Sequence, residues 1–593
     1  MLRIITLFLS LIFTTLLAAQ GAPLPVDDEN YDYIRRLYLK YGYENFTAPA
    51  ADLDLRPTSR GDLVRLAKTY EALYGDRMSK VEQYRLQRFF DDNNEWLSLP
   101  TLEQTDDADR APFYLGDDFA LASEDSPLYR TSRSPLFNTF YETPSFLFSK
   151  NLDDFYLRVN PVLDVRYGQL QDDEQSYIFN QRGVRLRAGF DDRIFLHFEI
   201  LDYQFGAPNY IRNYYRRVGS LPGAGLVKDD VDIAAFNLEN GYNYLNGSGY
   251  LSADITRHVG IRLGYGQHFI GAGERSLLLS DFSNNYPFLE LNWRIWKFHY
   301  RNLFAQLTAG PQSLSRSQNM LDQKFMAAHY LSIDIGKRLS VGLFETVIFS
   351  RDDGFDLAYL NPIVLYRTVE GGLGSPDNVL IGLTSSYRIP FLRAEVYGQF
   401  ILDEFVYDEL FVQQRGWWAN KWAYQIGGRA ADLFGVDQLD VVAERNVARP
   451  YIFSHDGQSS YTHFAMPLAH PLGANFTENL VGVEYRPLPR LNLSGRIYLI
   501  EQGEGIDSTV VGENLNQSSD LREMSFGNEI GQGISYTNTI VQLRAGYEIK
   551  PNLWLEAEYF RRSKDSDRDA LDLETTLVNL GVRWNVGRRR EAF

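Results

Sequence analysis

The 593-residue sequence contains no cysteine. That excludes a lipid-modified N-terminal cysteine, any disulfide framework and thiolate metal sites. Beyond its first twenty or so residues it also has no apolar run long enough for a spanning helix, so a helical membrane protein is excluded. Positive charge is in deficit: 59 Lys and Arg against 77 Asp and Glu leave a formal charge of −18. A nucleic-acid partner is therefore not expected. No catalytic constellation is present either. Asp403 and Glu404 are paired carboxylates, but neighbours on a strand point to opposite faces and make no acid–base pair across a sugar. His455, His463 and His470 share one long loop at a spacing that matches no metal site. No cofactor, no metal and no enzyme activity are expected.

The chain opens with Arg3, an apolar stretch over residues 4–17, and small residues at Ala18, Ala19, Gly21 and Ala22. This reads as a secretory signal over residues 1–20, with the cleavage bond not fixed. Export of a chain without apolar helices leaves one membrane solution open. In lipid every backbone N–H and C=O must be paired, and a closed sheet without edges does this.

The rest of the sequence is patterned for such a sheet. In residues 491–499, Leu491, Leu493, Ile497 and Leu499 share one face while Asn492, Ser494 and Arg496 share the other. Arg185 and Arg187 share a face, as do Glu395, Tyr397 and Gln399. Charged residues belong on the lumen side, because arginine in mid-bilayer costs about 2–4 kcal/mol. The lumen is therefore polar, either a channel or a barrel filled by an internal charge network. Only every second strand residue faces lipid, which reconciles a membrane location with the slightly negative mean hydropathy. An aromatic content of 14% suits interfacial girdles.

Alternation and turn signals give eighteen candidate strands, beginning at 155–169 and ending at 576–586. Short turns follow every even strand, for example at Asp191-Asp192, Trp296-Lys297, Lys337-Arg338 and Leu433-Phe434-Gly435. Long loops follow the odd strands. Short turns belong on the periplasmic side and long loops outside. The prediction is an all-β transmembrane outer-membrane β-barrel of about 18 antiparallel strands over residues 150–593. Residues 27–130 differ and predict a helical periplasmic module with a linker. Its first helix covers residues 31–39, its second starts at the N-cap Ser59, and its third runs over 79–90. The module is either a plug or docking element, or an extension packed on the barrel base.

Near the end, residues 579–586 fit polar–x–Gly–x–x–aromatic–x–hydrophobic through Gly581 and Trp584, and the chain ends in Phe593. This is similar to the terminal-strand signal read by the barrel-insertion machinery. Trp417, Trp418 and Trp422 stand where an external loop re-enters a strand, as an aromatic girdle or as a stacking platform for sugar rings. The loop after residue 446 adds Arg449, Tyr451 and His455, a mix of aromatic and hydrogen-bonding types suited to polysaccharide or to a loop folded into the barrel mouth.

Several strings carry a family resemblance: Gly271-Ala272-Gly273-Glu274-Arg275-Ser276-Leu277-Leu278-Leu279-Ser280-Asp281, Ala327-Ala328-His329-Tyr330, Gly342-Leu343-Phe344-Glu345, Tyr359-Leu360-Asn361-Pro362 and Glu444-Arg445-Asn446. The most specific is Leu468-Ala469-His470-Pro471-Leu472-Gly473-Ala474-Asn475. Together they resemble the Wzi-like capsule-assembly family, most closely its Bacteroidota branch with RemB-like gliding-motility proteins. The resemblance implies an eighteen-stranded outer-membrane barrel with helices at its periplasmic opening. It also implies a lectin-like, non-catalytic role in attaching capsular polysaccharide or exopolysaccharide to the cell surface. The expected partners are surface polysaccharide, outer-membrane lipid and, during biogenesis, the insertion machinery. Trp417, Trp418, Arg449, Tyr451 and His455 are the candidate glycan contacts. A porin-like channel, and an accessory barrel acting in gliding motility, adhesion, secretion or barrel assembly through outer-membrane protein partners, are the alternatives.

Overall fold

The computed structural model describes residues 22–43, 52–98 and 141–587, apart from short stretches at 142, 153, 172–175, 192, 234–237, 257, 311–320, 352–353, 362–364, 374–376, 405, 456–457 and 507–508. The expected signal, most of the expected linker, and Phe593 lie outside the described residues.

Eighteen antiparallel strands close into a barrel. The first nine are β1 Phe155–Leu170, β2 Ser176–Phe190, β3 Ile194–Phe205, β4 Leu238–Thr256, β5 Val259–Gly266, β6 Tyr286–Ile295, β7 Phe298–Thr308, β8 Gln323–Ile335 and β9 Leu339–Phe349. The second nine are β10 Asn378–Ile389, β11 Ala394–Leu402, β12 Trp422–Ala430, β13 Leu439–Ala448, β14 Phe476–Leu488, β15 Leu491–Glu504, β16 Ile534–Lys550, β17 Leu553–Ser566 and β18 Leu573–Trp584. Closure is made by β18 on β1, from Leu577 opposite Leu170 to Trp584 opposite Leu163. Two short strands, Phe148–Leu152 and Lys228–Ile233, are added to β1 and β4 and do not cross.

All eighteen predicted strands are present. The largest extension is in β4, which begins at Leu238 where the alternation predicts a start near 247, because its outer half is rich in Asn and Gly. Left-handed residues make the tight turns: Asp191, Trp296, Arg393, Phe434 and Asn552 all have positive φ. Trp296, Phe391 and Phe434 are exposed at these turns and form an aromatic girdle at the periplasmic rim. Between the turns the two faces separate as the pattern requires. Leu493, Ile497, Leu499, Leu543, Leu555 and Leu580 point outward and are exposed. Arg185 pairs with Glu199, Arg187 with Glu95 and Tyr397 with Glu444, all inward. An apolar outer belt around a polar interior places this chain in the outer membrane as a multi-pass β-barrel.

The helical module is α1 Asn30–Tyr41, α2 Arg60–Tyr74 and α3 Lys80–Asp92. The Ser59 side chain caps α2 by accepting from the Asp62 N–H. Ser79 and Glu82 form a reciprocal capping box on α3. Ile34, Leu37, Leu63, Leu66, Tyr70, Phe89, Phe90 and Trp96 make an apolar core that continues onto Tyr156, Phe195 and Ala431 of the barrel. The module therefore sits in the short-turn end of the barrel and fills it. Arg35 reaches Glu395 on β11 at 3.0 Å, and Arg294 on β6 reaches Asp62 on α2 at 3.3 Å. Arg301 on β7 donates to the Arg56 and Pro57 carbonyls.

Candidate functional site

The lumen is blocked by two bodies that meet inside it. From the periplasmic side, Leu55–Arg56 rises between α1 and α2. From the outer side, the loop between β5 and β6 descends, and Phe269–Ile270 pairs with Leu55–Arg56 as a two-stranded sheet. The Gly271 N–H donates to the Asp54 carbonyl at 2.7 Å. The loop then crosses to the opposite wall. Gln399 of β11 accepts from Leu277 N–H and donates to the Ile270 carbonyl. Gln425 of β12 donates to the Arg275 carbonyl, and Glu444 of β13 accepts from the Glu274 and Arg275 amides. Arg275 pairs with Glu478 of β14 at 3.3 Å. Gly271 is required here: its φ is +142°, and a Cβ would stand 2.1 Å from the Gln399 amide nitrogen.

The loop between β13 and β14 seals this crossing from outside. Ser280 N–H donates to the Leu468 carbonyl at 2.8 Å, and the Tyr461 hydroxyl donates to the Leu278 carbonyl at 2.7 Å. His470 is fully buried. Its Nδ1 accepts from the Leu472 N–H, so Nε2 carries the proton and donates to Glu478 at 2.8 Å. Asn475, at φ +60°, donates to the Gly503 and Gln532 carbonyls and accepts from Gly531 N–H. Gly473 holds a left-handed turn. Pro471 lines a cavity of about 320 Å³ between this plug and the wall. The resemblance strings at 271–281 and 468–475 thus form one body that closes the lumen. The cavity is walled by Tyr177, Phe179, Tyr203, Tyr244 and Phe560, with His197 and Gln181 among them. Sequence reasoning missed it. Its signal was the inward aromatics repeated at the outer ends of β2, β3 and β4.

On the outer rim, the loops 403–421 and 505–533 clasp each other through backbone bonds. Trp418 N–H donates to Ser525, Gly527 N–H to Arg415, and Asn528 N–H to Gly416. Trp417 and Trp418 are half-buried, with ring centroids 6.2 Å apart. The Arg522 guanidinium lies 4.1 Å from the Trp418 ring centroid, and Lys421 Nζ lies 5.3 Å from it. Arg449 is directed inward, where it donates to the Asn528 carbonyl at 3.1 Å and holds the clasp from below. Tyr451 is 2% exposed and donates its hydroxyl to the Val510 carbonyl. His455 is half-buried beside Ser460, 3.9 Å from Glu404. Arg449 and Tyr451 therefore support the rim from within instead of lining it. Asp403 accepts from Phe453 N–H, and burial raises its carboxyl to about 6. The outward aromatics of the clasp are ones the sequence reading passed over: Tyr407, Phe411 and Phe526. Arg415 stacks on Phe526 at 4.3 Å.

No family model and no curated protein matches the sequence. Among solved structures the chain matches Wzi, described as an outer-membrane protein involved in group 1 capsule assembly in Escherichia coli and as a carbohydrate-binding β-barrel. The TM-score is 0.54 at 11% identity, over 96% of this chain and 100% of that one. The fold is Wzi-like. OccAB2 of Acinetobacter baumannii (TM-score 0.39, 10% identity, 73% of this chain and 98% of that one) and OprD of Pseudomonas aeruginosa (0.37, 10%, 72% and 94%) also match.

The seal has a built-in pH limit. His463 is buried, with Nδ1 accepting from Thr308 N–H at 2.9 Å and Nε2 donating to the Asn285 carbonyl at 3.1 Å. Lys324 of β8 lies against the same loop, donating to the Ser460 carbonyl and the Thr462 hydroxyl. Burial holds the imidazole down at about 4. An unfolded histidine titrates near ~6.5 and takes the proton first as pH falls. The contribution is therefore full above about pH 6.5 and declines toward pH 4, where about 3 kcal/mol is lost. Amide hydrogen exchange across 459–470 should accelerate over that window, and His463→Gln should flatten the dependence.

Proposed function

We propose that the chain binds surface polysaccharide and serves in capsule or exopolysaccharide assembly or retention, by contact at its outer rim and without catalysis. One observation carries the reading. Among the described residues, the exposed aromatics of the external loops, Tyr407, Phe411 and Phe526, are gathered on the single clasp that also holds Trp417, Trp418, Arg415 and Arg522. Aromatic faces pack on the C–H faces of sugars, and the arginines suit acidic groups on them. The Wzi-like fold is consistent with this role. Placement beside the RemB-like Bacteroidota proteins rests on the residue strings alone and belongs to the same proposal. So do removal of residues 1–20 and a biogenesis signal at Gly581, Trp584 and Phe593. In the folded chain Trp584 stacks on Tyr141 at 5.5 Å, and Gly581 lies close to Arg166.

The channel alternative predicts current; the plug described above predicts none. Purified protein in planar bilayers should be electrically silent, and stepwise openings in the unaltered protein would return the porin reading. Saturable binding of the host's own polysaccharide to detergent-solubilised protein is the positive test. An absence of binding, with a protein recovered in fixed proportion from mildly solubilised membranes, would favour the accessory role.

A further inference from the structure

The described parts of the external segment between β9 and β10, residues 354–361 and 365–373, do not extend into solvent. They fold down over the outside of the barrel wall. Strand parity establishes which side this is. On β7, β8 and β9 the inward residues Leu303, Ala328, Tyr330, Phe344 and Ile348 pack with the plug residues Leu277, Leu278 and Leu279. The alternate residues Phe304, Phe325, Ala327, Val347 and Phe349 therefore face outward, yet they are buried. What buries them is the segment. Phe355 sits 5.1 Å from Phe349 and 5.6 Å from Phe325, and Tyr359 sits 4.7 Å from Phe349. The segment's ends are pinned together: Arg351 makes two bonds to Asp377, at 2.8 and 2.6 Å, and the Tyr359 hydroxyl adds a third at 2.7 Å.

Beneath the strap the outer wall breaks the apolar rule. Asn302, His329 and Glu345 stand side by side on β7, β8 and β9, in register and facing outward. Asn302 accepts from the Trp293 indole N–H of β6 at 2.9 Å, and Tyr366, on the short helix Tyr366–Leu373, covers the other two. Its ring lies 4.0 Å from His329, and the next amide, Arg367 N–H, donates to Glu345 at 3.2 Å. Glu345 lies four residues below the outer end of β9, about 13 Å along the strand and about 10 Å along the barrel axis at the usual tilt. That depth is within the outer half of a hydrophobic belt about 25 Å tall. The strap exposes large apolar side chains: Leu357 is 75% exposed and Leu365 is 64% exposed, with Leu360 exposed as well, while the exposed Arg367 is paired with Glu370 at 2.6 Å. The strap continues the belt whose next outward residue on β9, Leu343, is 56% exposed.

We propose that residues 354–361 and 365–373 form a re-entrant strap embedded in the outer leaflet, with Leu357, Leu360 and Leu365 in contact with acyl chains. The strap takes the place of lipid over His329 and Glu345, whose direct exposure to hydrocarbon would be costly. Lipid is the occupant because the strap surface is continuous with the lipid belt and lies at its depth.

A protein without cysteine makes the test direct. Single Leu357→Cys, Leu365→Cys, Leu343→Cys and Asp520→Cys variants carry an environment-sensitive fluorophore, and the full chain is reconstituted in phosphatidylcholine vesicles. Strap probes should emit as far to the blue as the Leu343 probe, be quenched by acyl-chain nitroxide lipid, and resist iodide. Iodide quenching equal to that of the Asp520 probe would overturn the proposal. So would strap probes that are iodide-accessible in vesicles but shielded in native outer membranes, which would assign this face to a protein partner.

Discussion

Replacing Arg35 by alanine should loosen the helical module by about 3–5 kcal/mol, the usual cost of stranding one member of a buried ion pair. Arg35 lies on α1 inside the barrel, where it reaches both oxygens of Glu395, at 3.2 and 3.0 Å, together with Asp54 and the Leu53 carbonyl. Arg35 and Glu395 are each 2% exposed. Without the guanidinium, the nearest remaining cation to Glu395 is Arg429, at 3.8 Å. Trypsin should then cut within residues 52–98 of the folded, detergent-solubilised protein, while the barrel stays resistant. The double variant Arg35→Ala/Glu395→Ala should recover part of the loss, because Glu395 is then no longer stranded, while Asp54 still loses a partner. An unchanged digestion profile in the single variant would mean that the apolar core around Trp96 and Phe90 holds the module unaided.

That prediction depends on a contact no reading of the sequence supplied. The strands were legible because lipid imposes a period of two, visible in Leu491 through Leu499, and because turns of unequal length mark the two ends. The helices were legible from their three- and four-residue spacing and from Ser59, which announces its cap locally. What fills the lumen was not legible. An inward Glu395 or Gln399 reads the same whether it faces water or a segment hundreds of residues away, and the question of channel or filled barrel stayed open for that reason. The strap escaped notice for a related reason. Outward Asn302, His329 and Glu345 violate the lipid-face rule, but each lies in a strand that is otherwise regular, and the violation appears only once three registers are aligned. At the rim, residue type selected Arg449 and Tyr451 as glycan contacts. Type carries no direction, and both point inward to backbone carbonyls.

Direction decides the last prediction. If sugars stack on the clasp, the residues that matter are those with a free outward face. Trp417→Ala, Phe411→Ala and Phe526→Ala should each weaken polysaccharide binding by about 1–2 kcal/mol, or about 5- to 30-fold in Kd, in line with aromatic anchors at other interfaces. The triple variant should abolish measurable binding while leaving the barrel folded. Trp418→Ala should behave differently. Its ring already carries Lys421 from its own loop and Arg522 from the other loop of the clasp. Losing it should therefore disorder the clasp and speed hydrogen exchange across 518–533. Arg415 separates charge from stacking. It is exposed, stacks on Phe526 and pairs with Glu409. With an acidic glycan, Arg415→Ala should remove much of the salt dependence of binding, because exposed charge pairs are screened within about 8–10 Å at physiological ionic strength. With a neutral glycan the salt dependence should already be absent, and only the aromatic variants should lose affinity. Titrations at two ionic strengths distinguish these cases. Full affinity retained by all three aromatic variants would move the site off the clasp and toward the Tyr203–Tyr244 cavity, where those rings stack at 4.4 Å.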